Sequence, residues 1–71
     1  MTHLKFGFKP IEDALLYAWD VNGFEEHDHS LLVHYHSKVL VVHDDGQVDN
    51  IEICPAAMQR FLQGVLRNNL E

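Results

Sequence analysis

Two stretches of the chain carry apolar residues at the spacing of a helix, and each stretch follows a proline. Pro10 stands at the start of the first stretch and Pro55 at the start of the second, where the missing amide hydrogen of proline costs no helical hydrogen bond. The apolar positions are Ile11, Ala14, Leu15, Ala18 and Trp19, then Met58, Phe61, Leu62, Val65 and Leu66. This spacing predicts two amphipathic helices that each bury one face.

The segment between these helices has the composition of a sheet. Residues 31–43 are rich in valine, leucine and tyrosine, and they predict either one long bent strand or two strands broken near Ser37. Residues 44–46, Asp-Asp-Gly, predict a hairpin turn. Residues 48–53 would then return antiparallel to the strand before the turn.

The register of this hairpin stays open at the level of sequence. A bulge at Gly46 would place Val39 opposite Ile51 and Lys38 opposite Glu52, whereas a two-residue turn would shift the pairing by one residue. Side chains of a strand alternate between two faces, so that shift would exchange the buried face for the exposed one.

An alternating segment precedes the first helix, and residues 2–8 therefore predict a strand with one buried face. Together the patterns predict an α+β fold in the order β-α-β-β(-β)-α, with two amphipathic helices and a small antiparallel sheet of three to four strands. We expect a single domain over residues 1–71, with residues 70–71 as a candidate vector-derived tail.

The end of the first helix is predicted at Asn22-Gly23, a pair that favours a left-handed stop. Phe24 would then make the hydrophobic contact that often accompanies such a stop. The following residues, 25–30, are mostly polar and predict a loop.

The chain is acidic, and its charge is unevenly distributed. Eleven acidic residues against five basic ones give a net charge of −6, and residues 10–37 contain no lysine or arginine. The order helix, three strands, helix resembles the double-stranded-RNA-binding fold, but Ala56, Ala57 and Met58 stand where such domains carry basic residues. Because phosphate binding depends on clustered lysine and arginine, we expect no direct nucleic-acid binding and no membrane binding. A basic protein is the favoured partner.

The small size of the chain predicts that it needs additional stabilisation. A 71-residue chain buries a limited core, and its single cysteine, Cys54, excludes an internal disulfide. Because residues 31–43 are apolar at both odd and even positions, either the two helices cover opposite faces of the sheet or a second chain covers one of them, and we expect a homodimer. The candidate interface residues are Tyr17, Glu25, Glu26, Leu32, Leu40 and Val42.

Histidine is unusually frequent, with six residues. His34 and His36 are spaced i, i+2, which on a strand places them on one face about 6.5–7 Å apart along the chain. Two such imidazoles could share Zn²⁺ or Ni²⁺ if His27 and His29 supplied further ligands. The alternative, which we favour, is that these histidines lie at the surface and bind no metal or other cofactor.

Catalytic motifs are missing from the sequence. Cys54, predicted at the N-cap of the second helix, is better explained as a buried packing residue than as a nucleophile. No Ser-His-Asp spacing, glycine-rich phosphate loop or HExxH motif occurs, so we expect no enzymatic activity. The absence of an apolar signal segment predicts a soluble, cytoplasmic protein.

The sequence therefore favours a small, acidic, non-enzymatic protein-interaction module that regulates or inhibits a basic partner protein. The charge segregation, the small size and the doubly apolar strand segment support this prediction. The alternative is a histidine-based domain that binds or senses zinc or nickel.

Overall fold

The computed structural model describes residues 3–71. Its order of elements is a helix, four strands, a short 3-10 turn and a second helix. The bounds are α1 Lys9–Ala18, β1 Gly23–Glu26, β2 Ser30–Tyr35, β3 Lys38–His43, β4 Val48–Asp49 and α2 Ala56–Asn69. The strands form one antiparallel sheet in the order β1-β2-β3-β4. The predicted α+β fold is confirmed.

Both helices form where the apolar stripes predict them. α1 carries proline in its first turn and buries Ile11 and Leu15, whereas α2 begins directly after Pro55 and buries three residues of its stripe at Met58, Leu62 and Leu66. Neither helix, within the part of the chain that the structure describes, is long and apolar enough to cross a membrane.

The predicted helix stop at Asn22-Gly23 is wrong. Trp19 directly follows α1 and is already extended, with φ −137°, while its amide donates to the carbonyl of Leu15 at 2.9 Å. Gly23 lies in β1 opposite His34, so its capacity for a left-handed backbone is not used. Pairing with β2 outweighs the local turn preference, and part of the predicted polar loop becomes a strand.

The segment 31–43 contains two strands, one of the two predicted alternatives. β2 and β3 are joined by a two-residue turn in which His36 has a left-handed backbone, with φ 57°, and Tyr35 lies opposite Lys38. The turn brings odd residues of β2 and even residues of β3 to the same face. The buried residues of this face are Leu31, Val33, Leu40 and Val42.

The β3–β4 hairpin has the register that a glycine bulge predicts. Gly46 has φ 94°, and Val42 lies opposite Val48 as the bulged register requires. β4 stops after two residues because Asn50 adopts a left-handed backbone, with φ 65°, and a short 3-10 turn follows. The further pairs predicted for residues 38–39 therefore do not form.

The N-terminal strand predicted over residues 2–8 is wrong in the described residues, and Thr2 lies outside them. From residue 3 to residue 8 only Leu4 pairs, through an isolated bridge to Leu70. Gly7 has a left-handed backbone, with φ 70°, which interrupts an extended strand. Phe6 is 68% exposed, so the apolar alternation does not produce one buried face.

Both helices cover the same face of the sheet. One hydrophobic core joins the buried side chains of α1 and α2 to Leu31, Val33, Leu40 and Val42. Trp19 and Phe61 are partly buried and pack against this core, with their ring centroids 5.0 Å apart. In the described residues no helix covers the opposite face of the sheet, so Leu32, Val39 and Val41 remain there as partly exposed apolar side chains.

Candidate functional site

Three polar side chains from distant parts of the chain converge at one end of the sheet. His3 Nδ1 lies 3.1 Å from Asp44 Oδ2, and His29 Nδ1 lies 2.9 Å from the same oxygen. The three side-chain ligand atoms all lie within 4.8 Å of one another. We call His3, His29 and Asp44 the histidine–aspartate cluster.

Backbone pairing positions the three members of the cluster. Ser30 lies opposite His43 in the β2–β3 ladder, and beyond this pair the amide of Asp44 donates to the carbonyl of His29 at 2.9 Å. His3 is held from the other side, because its carbonyl accepts the amide of Glu71 at 3.1 Å. The cluster therefore joins the N-terminal segment, the β1–β2 loop and the β3–β4 loop.

Hydrogen bonding inside the cluster shifts two pKa values in opposite directions. The hydrogen bond to Asp44, followed by the charge of that carboxylate, raises the pKa of His29 above its ordinary value. The hydrogen bond from His29 is the main cause that lowers the pKa of Asp44, and the bond from His3 acts in the same direction. The ionised carboxylate is thus the favoured state of Asp44.

The cluster borders a small pocket of about 250 Å³. Its lining is His3, His29, His43, Asp44 and Asp45. His43 uses its Nε2 atom to contact Asp49 Oδ2 at 2.9 Å, so this nitrogen is engaged outside the cluster. The pocket leaves room beside the three convergent side chains for a water molecule or a small ion.

The structure does not bring together the four histidines that the alternative, metal-binding interpretation of the sequence considered as ligands. His36 leaves the strand at the β2–β3 turn and packs edge-on against Tyr35, with ring centroids 4.4 Å apart. His34 contacts Glu25 Oε2 through its Nε2 atom at 3.0 Å, and His27 is exposed in the β1–β2 loop. Of the four candidates only His29 lies in the cluster.

Sequence reasoning missed His3 and Asp44. Asp44 could have been found from the register of β2 with β3, because this register makes residues 29 and 44 neighbours just beyond the strand ends. No sequence signal indicates His3. Its position depends on the contacts of the N-terminal segment with residues 69–71.

The uncovered side of the sheet has an apolar centre between charged ends. Glu25, Leu32, Val41 and Asp49 lie opposite one another in successive strands and form one row across the sheet. Val39 lies beside this row, and Leu32, Val39 and Val41 are all partly exposed. We call these five residues, together with His34 and His43, the outer sheet face.

Two histidine–carboxylate pairs border the apolar centre of the outer sheet face. His34 contacts Glu25 at 3.0 Å, and His43 contacts Asp49 at 2.9 Å. Each pair joins diagonal positions of neighbouring strands. His34 and Glu25 join β2 to β1 at one edge of the sheet, and His43 and Asp49 join β3 to β4 at the other edge. The carboxylates are more than half exposed, whereas the imidazoles are about one third exposed.

The interface candidates separate into buried and exposed residues. Leu40 and Val42 have no exposed surface and belong to the core of one chain, so their prediction as interface residues is corrected. The β2–β3 turn reverses which positions face the helices, and this places both residues inward. Leu32 is partly exposed on the outer sheet face, and Tyr17 on α1 is 95% exposed.

A second acidic group lies at the edge of the helix-covered side. Glu26 lies opposite the buried Leu31 and is close to Glu12 of α1. Burial, followed by the hydrogen bond with Glu26 and by its charge, raises the pKa of Glu12. Two carboxyl groups that share one site attract a cation, because a cation relieves their mutual repulsion.

Cys54 is buried in the core, as predicted, but its predicted position at the N-cap of α2 is wrong, because Pro55 is the N-cap. Burial is the main cause that raises the pKa of its thiol, and the charge of Glu52 adds to this effect. A raised pKa reduces the fraction of thiolate, which is the nucleophilic form of cysteine. These properties agree with a packing role.

Comparisons of the chain with protein-family models, with curated proteins and with solved structures found no match.

Proposed function

We propose that this chain is a non-enzymatic protein-interaction module that binds a basic segment of a partner protein on its outer sheet face, and so regulates or inhibits that partner. One observation carries the proposal. The row Glu25, Leu32, Val41, Asp49 presents an apolar centre with a carboxylate at each end, and neither helix covers it. An apolar centre with a charged rim is typical of protein interfaces.

The charge of the chain favours a basic partner. The net charge of −6 repels acidic surfaces and accelerates encounters with basic ones. Glu25 and Asp49 place a carboxylate at each end of the row, and both side chains are more than half exposed. The shared Glu12–Glu26 site at the sheet edge adds further negative charge on the α1 side.

The spacing of the row limits the shape of the partner segment. Strands lie about 4.8 Å apart, so three strand intervals separate Glu25 from Asp49 by about 14 Å. In an extended peptide, residues i and i+4 point to the same side and lie about 13 Å apart. A segment with basic, apolar and basic residues at i, i+2 and i+4 therefore matches the row.

A homodimer stays a prediction, and its candidate surface changes. Leu32, Val39 and Val41 replace Leu40 and Val42 as the apolar residues that a second copy could cover. Two copies placed face to face would bring four carboxylates, Glu25 and Asp49 of each copy, into one interface. Like charges oppose this arrangement, which favours a basic partner over a second copy.

A designed peptide tests the proposal. The probe is an extended peptide with lysine, valine and lysine at alternate positions, compared with a peptide that has glutamate in place of both lysines. We expect the lysine peptide to shift the backbone amide resonances of β2 and β3, and expect salt to weaken its binding. The glutamate peptide should cause no shifts.

Matched variants separate the row from the net charge. Glu25→Gln/Asp49→Asn removes two charges from the row, and Asp20→Asn/Glu52→Gln removes two charges at other exposed positions. We expect the first variant to weaken binding about tenfold or more and the second to weaken it much less, as for contacting charge pairs. Equal weakening by both variants would contradict a site at the row. Light scattering of the protein without peptide measures its oligomeric state. A stable dimer formed through the outer sheet face would mean that a second copy of the chain, and not a basic partner, occupies this face.

A further inference from the structure

We propose that His3, His29 and Asp44 form a zinc site that joins the N-terminal segment to the two loops at the end of the sheet. This inference goes beyond the proposed function, because no member of the histidine–aspartate cluster belongs to the outer sheet face. It also differs from the metal site that the sequence analysis considered as an alternative, with which it shares His29 alone.

The distances in the cluster are close to those of a zinc site. Zinc binds nitrogen and oxygen ligands at about 2.0–2.2 Å in tetrahedral geometry, which separates neighbouring ligand atoms by about 3.3–3.5 Å. The two Nδ1 atoms lie 3.1 Å and 2.9 Å from Asp44 Oδ2. A movement of a few tenths of an ångström would bring both nitrogen–oxygen distances to this spacing, and the three ligand atoms already lie within 4.8 Å of one another.

The donor atoms have the chemistry that zinc requires. Without metal, each Nδ1 carries a hydrogen and donates it to the carboxylate of Asp44. Zinc would take the place of these two hydrogens, so each neutral imidazole would bind through the Nδ1 lone pair after its single hydrogen has moved, through exchange with water, from Nδ1 to Nε2. A histidine that is protonated before binding would release one proton to solvent.

The number of ligands distinguishes this cluster from the other histidine pairs. The pairs His34–Glu25 and His43–Asp49 each offer one imidazole and one carboxylate. The cluster offers two imidazoles and one carboxylate, and it borders a pocket with room for water as a fourth ligand. Three protein ligands and one open position form an established arrangement for zinc.

Binding at this position would stabilise the whole fold. His3 is 41 residues from Asp44, and His29 is 15 residues from it, so the ion would connect segments that are distant in the chain. A 71-residue chain with a single cysteine has no disulfide to make such a connection. Metal that binds the folded state and not the unfolded state raises the melting temperature.

Thermal unfolding of tag-free protein, treated first with chelator and then titrated with zinc chloride, tests the proposal. We expect zinc at one hundred times its Kd to raise the melting temperature by about 10–20 °C, and expect magnesium to have no such effect. His29→Ala and Asp44→Asn should each abolish the zinc-dependent rise. Asp44→Asn keeps a hydrogen-bond acceptor at the turn, so it separates loss of metal binding from loss of the local fold.

His34→Ala is the matched control, because it removes a histidine–carboxylate contact of similar length outside the cluster. This variant should keep the full zinc-dependent rise. Loss of the rise in His34→Ala, or its persistence in His29→Ala, would overturn the proposal.

Two further readouts do not depend on stability. Native mass spectrometry should give one zinc per chain for the wild type and none for His29→Ala at equal zinc concentration. Nitrogen NMR of the imidazoles should show metal-dependent shifts of Nδ1 for His3 and His29 and no shift for His34. A wild type that binds no zinc in these measurements would refute the site. Lysine-peptide binding to the outer sheet face should be the same in His29→Ala and in the wild type, so the two proposals can fail independently.

Discussion

Leu70 packs directly over Gly46, with its Cδ1 atom 3.0 Å from the position that a Cβ atom at residue 46 would occupy. Leu70 also bridges to Leu4 and packs against the hydrophobic core. The C-terminal residues 70–71 thus help to hold the N-terminal segment that carries His3. Gly46 meets two separate requirements, since its backbone is left-handed and its α-carbon faces Leu70.

We expect Gly46→Ala to lower the free energy of unfolding by about 1–3 kcal/mol, because a side chain is strained at φ 94° and would also displace Leu70. The matched control is Gly64→Ala, at an exposed position in α2 where a Cβ atom meets nothing within 4 Å. Alanine there should stabilise the protein by up to about 1 kcal/mol. Denaturant unfolding measures both values, and a neutral Gly46→Ala would contradict the described hairpin.

The pKa shifts of the histidine–aspartate cluster predict how its contribution to stability depends on pH. The raised pKa of His29 gives a stabilisation that is complete below the ordinary value of 6.5 and is lost as pH rises through the folded pKa. The lowered pKa of Asp44 gives a stabilisation that is complete above the ordinary value of 3.8 and is lost as pH falls through the folded pKa.

Metal-free wild type should therefore be more stable than His29→Ala, and the difference should be largest between pH 3.8 and pH 6.5, the two ordinary pKa values. We expect the difference to decrease as pH rises above 6.5 and through the raised folded pKa of His29, because His29 then loses its proton. Urea midpoints of the two proteins in the presence of chelator measure the difference. A difference that grows with rising pH would mean that His29 does not donate to Asp44.

The two leucines at neighbouring positions of the sheet should respond differently to truncation. Leu40 has no exposed surface and packs in the core, so Leu40→Ala should lower the free energy of unfolding by about 2–5 kcal/mol. Leu32 lies on the outer sheet face, so Leu32→Ala should lower the free energy of unfolding clearly less than Leu40→Ala does. Denaturant unfolding at low protein concentration compares them, and an equal cost would indicate that the outer sheet face is covered in solution.

The shared site of Glu12 and Glu26 predicts a stabilising substitution. Because the pKa of Glu12 is raised in the folded protein, ionisation of Glu12 at neutral pH lowers the stability of the fold. This loss of stability develops as pH rises through the folded pKa. Glu12→Gln should therefore unfold at a higher temperature than the wild type at neutral pH. Asp13→Asn, which removes a carboxylate that contacts Lys9 at 3.2 Å, is the control and should not stabilise the protein. A lower melting temperature for Glu12→Gln would contradict the shared site.

Local patterns were sufficient for some elements and insufficient for others. The apolar stripes predicted both helices, because burial of one helical face depends on a period that a sequence displays directly. Asp-Asp-Gly at residues 44–46 predicted a turn, and the structure selected the bulged register. The alternation over residues 2–8 predicted a strand that does not form in the described residues, where the segment makes only an isolated bridge from Leu4 to Leu70, the residue that follows α2.

The candidate sites depended on pairing between strands. His34 and His36 seemed to share a face because alternation was assumed to continue, whereas a left-handed backbone at His36 ends the strand. The same turn moved Leu40 and Val42 from the predicted interface into the core. Each of these errors follows from one two-residue turn, whose conformation carries no strong local signal at His36-Ser37.

The sequence by itself determined the fold class, the two helices, the acidic charge and the packing role expected of Cys54, because period, composition and burial preference act locally. Tertiary structure alone decided the meeting of His3, His29 and Asp44 and the row from Glu25 to Asp49. These groups come from segments up to 41 residues apart, and their proximity depends on strand register and on the docking of both chain ends. Register is set by the burial of a whole sheet face, which is a property of the assembled core and not of any one segment.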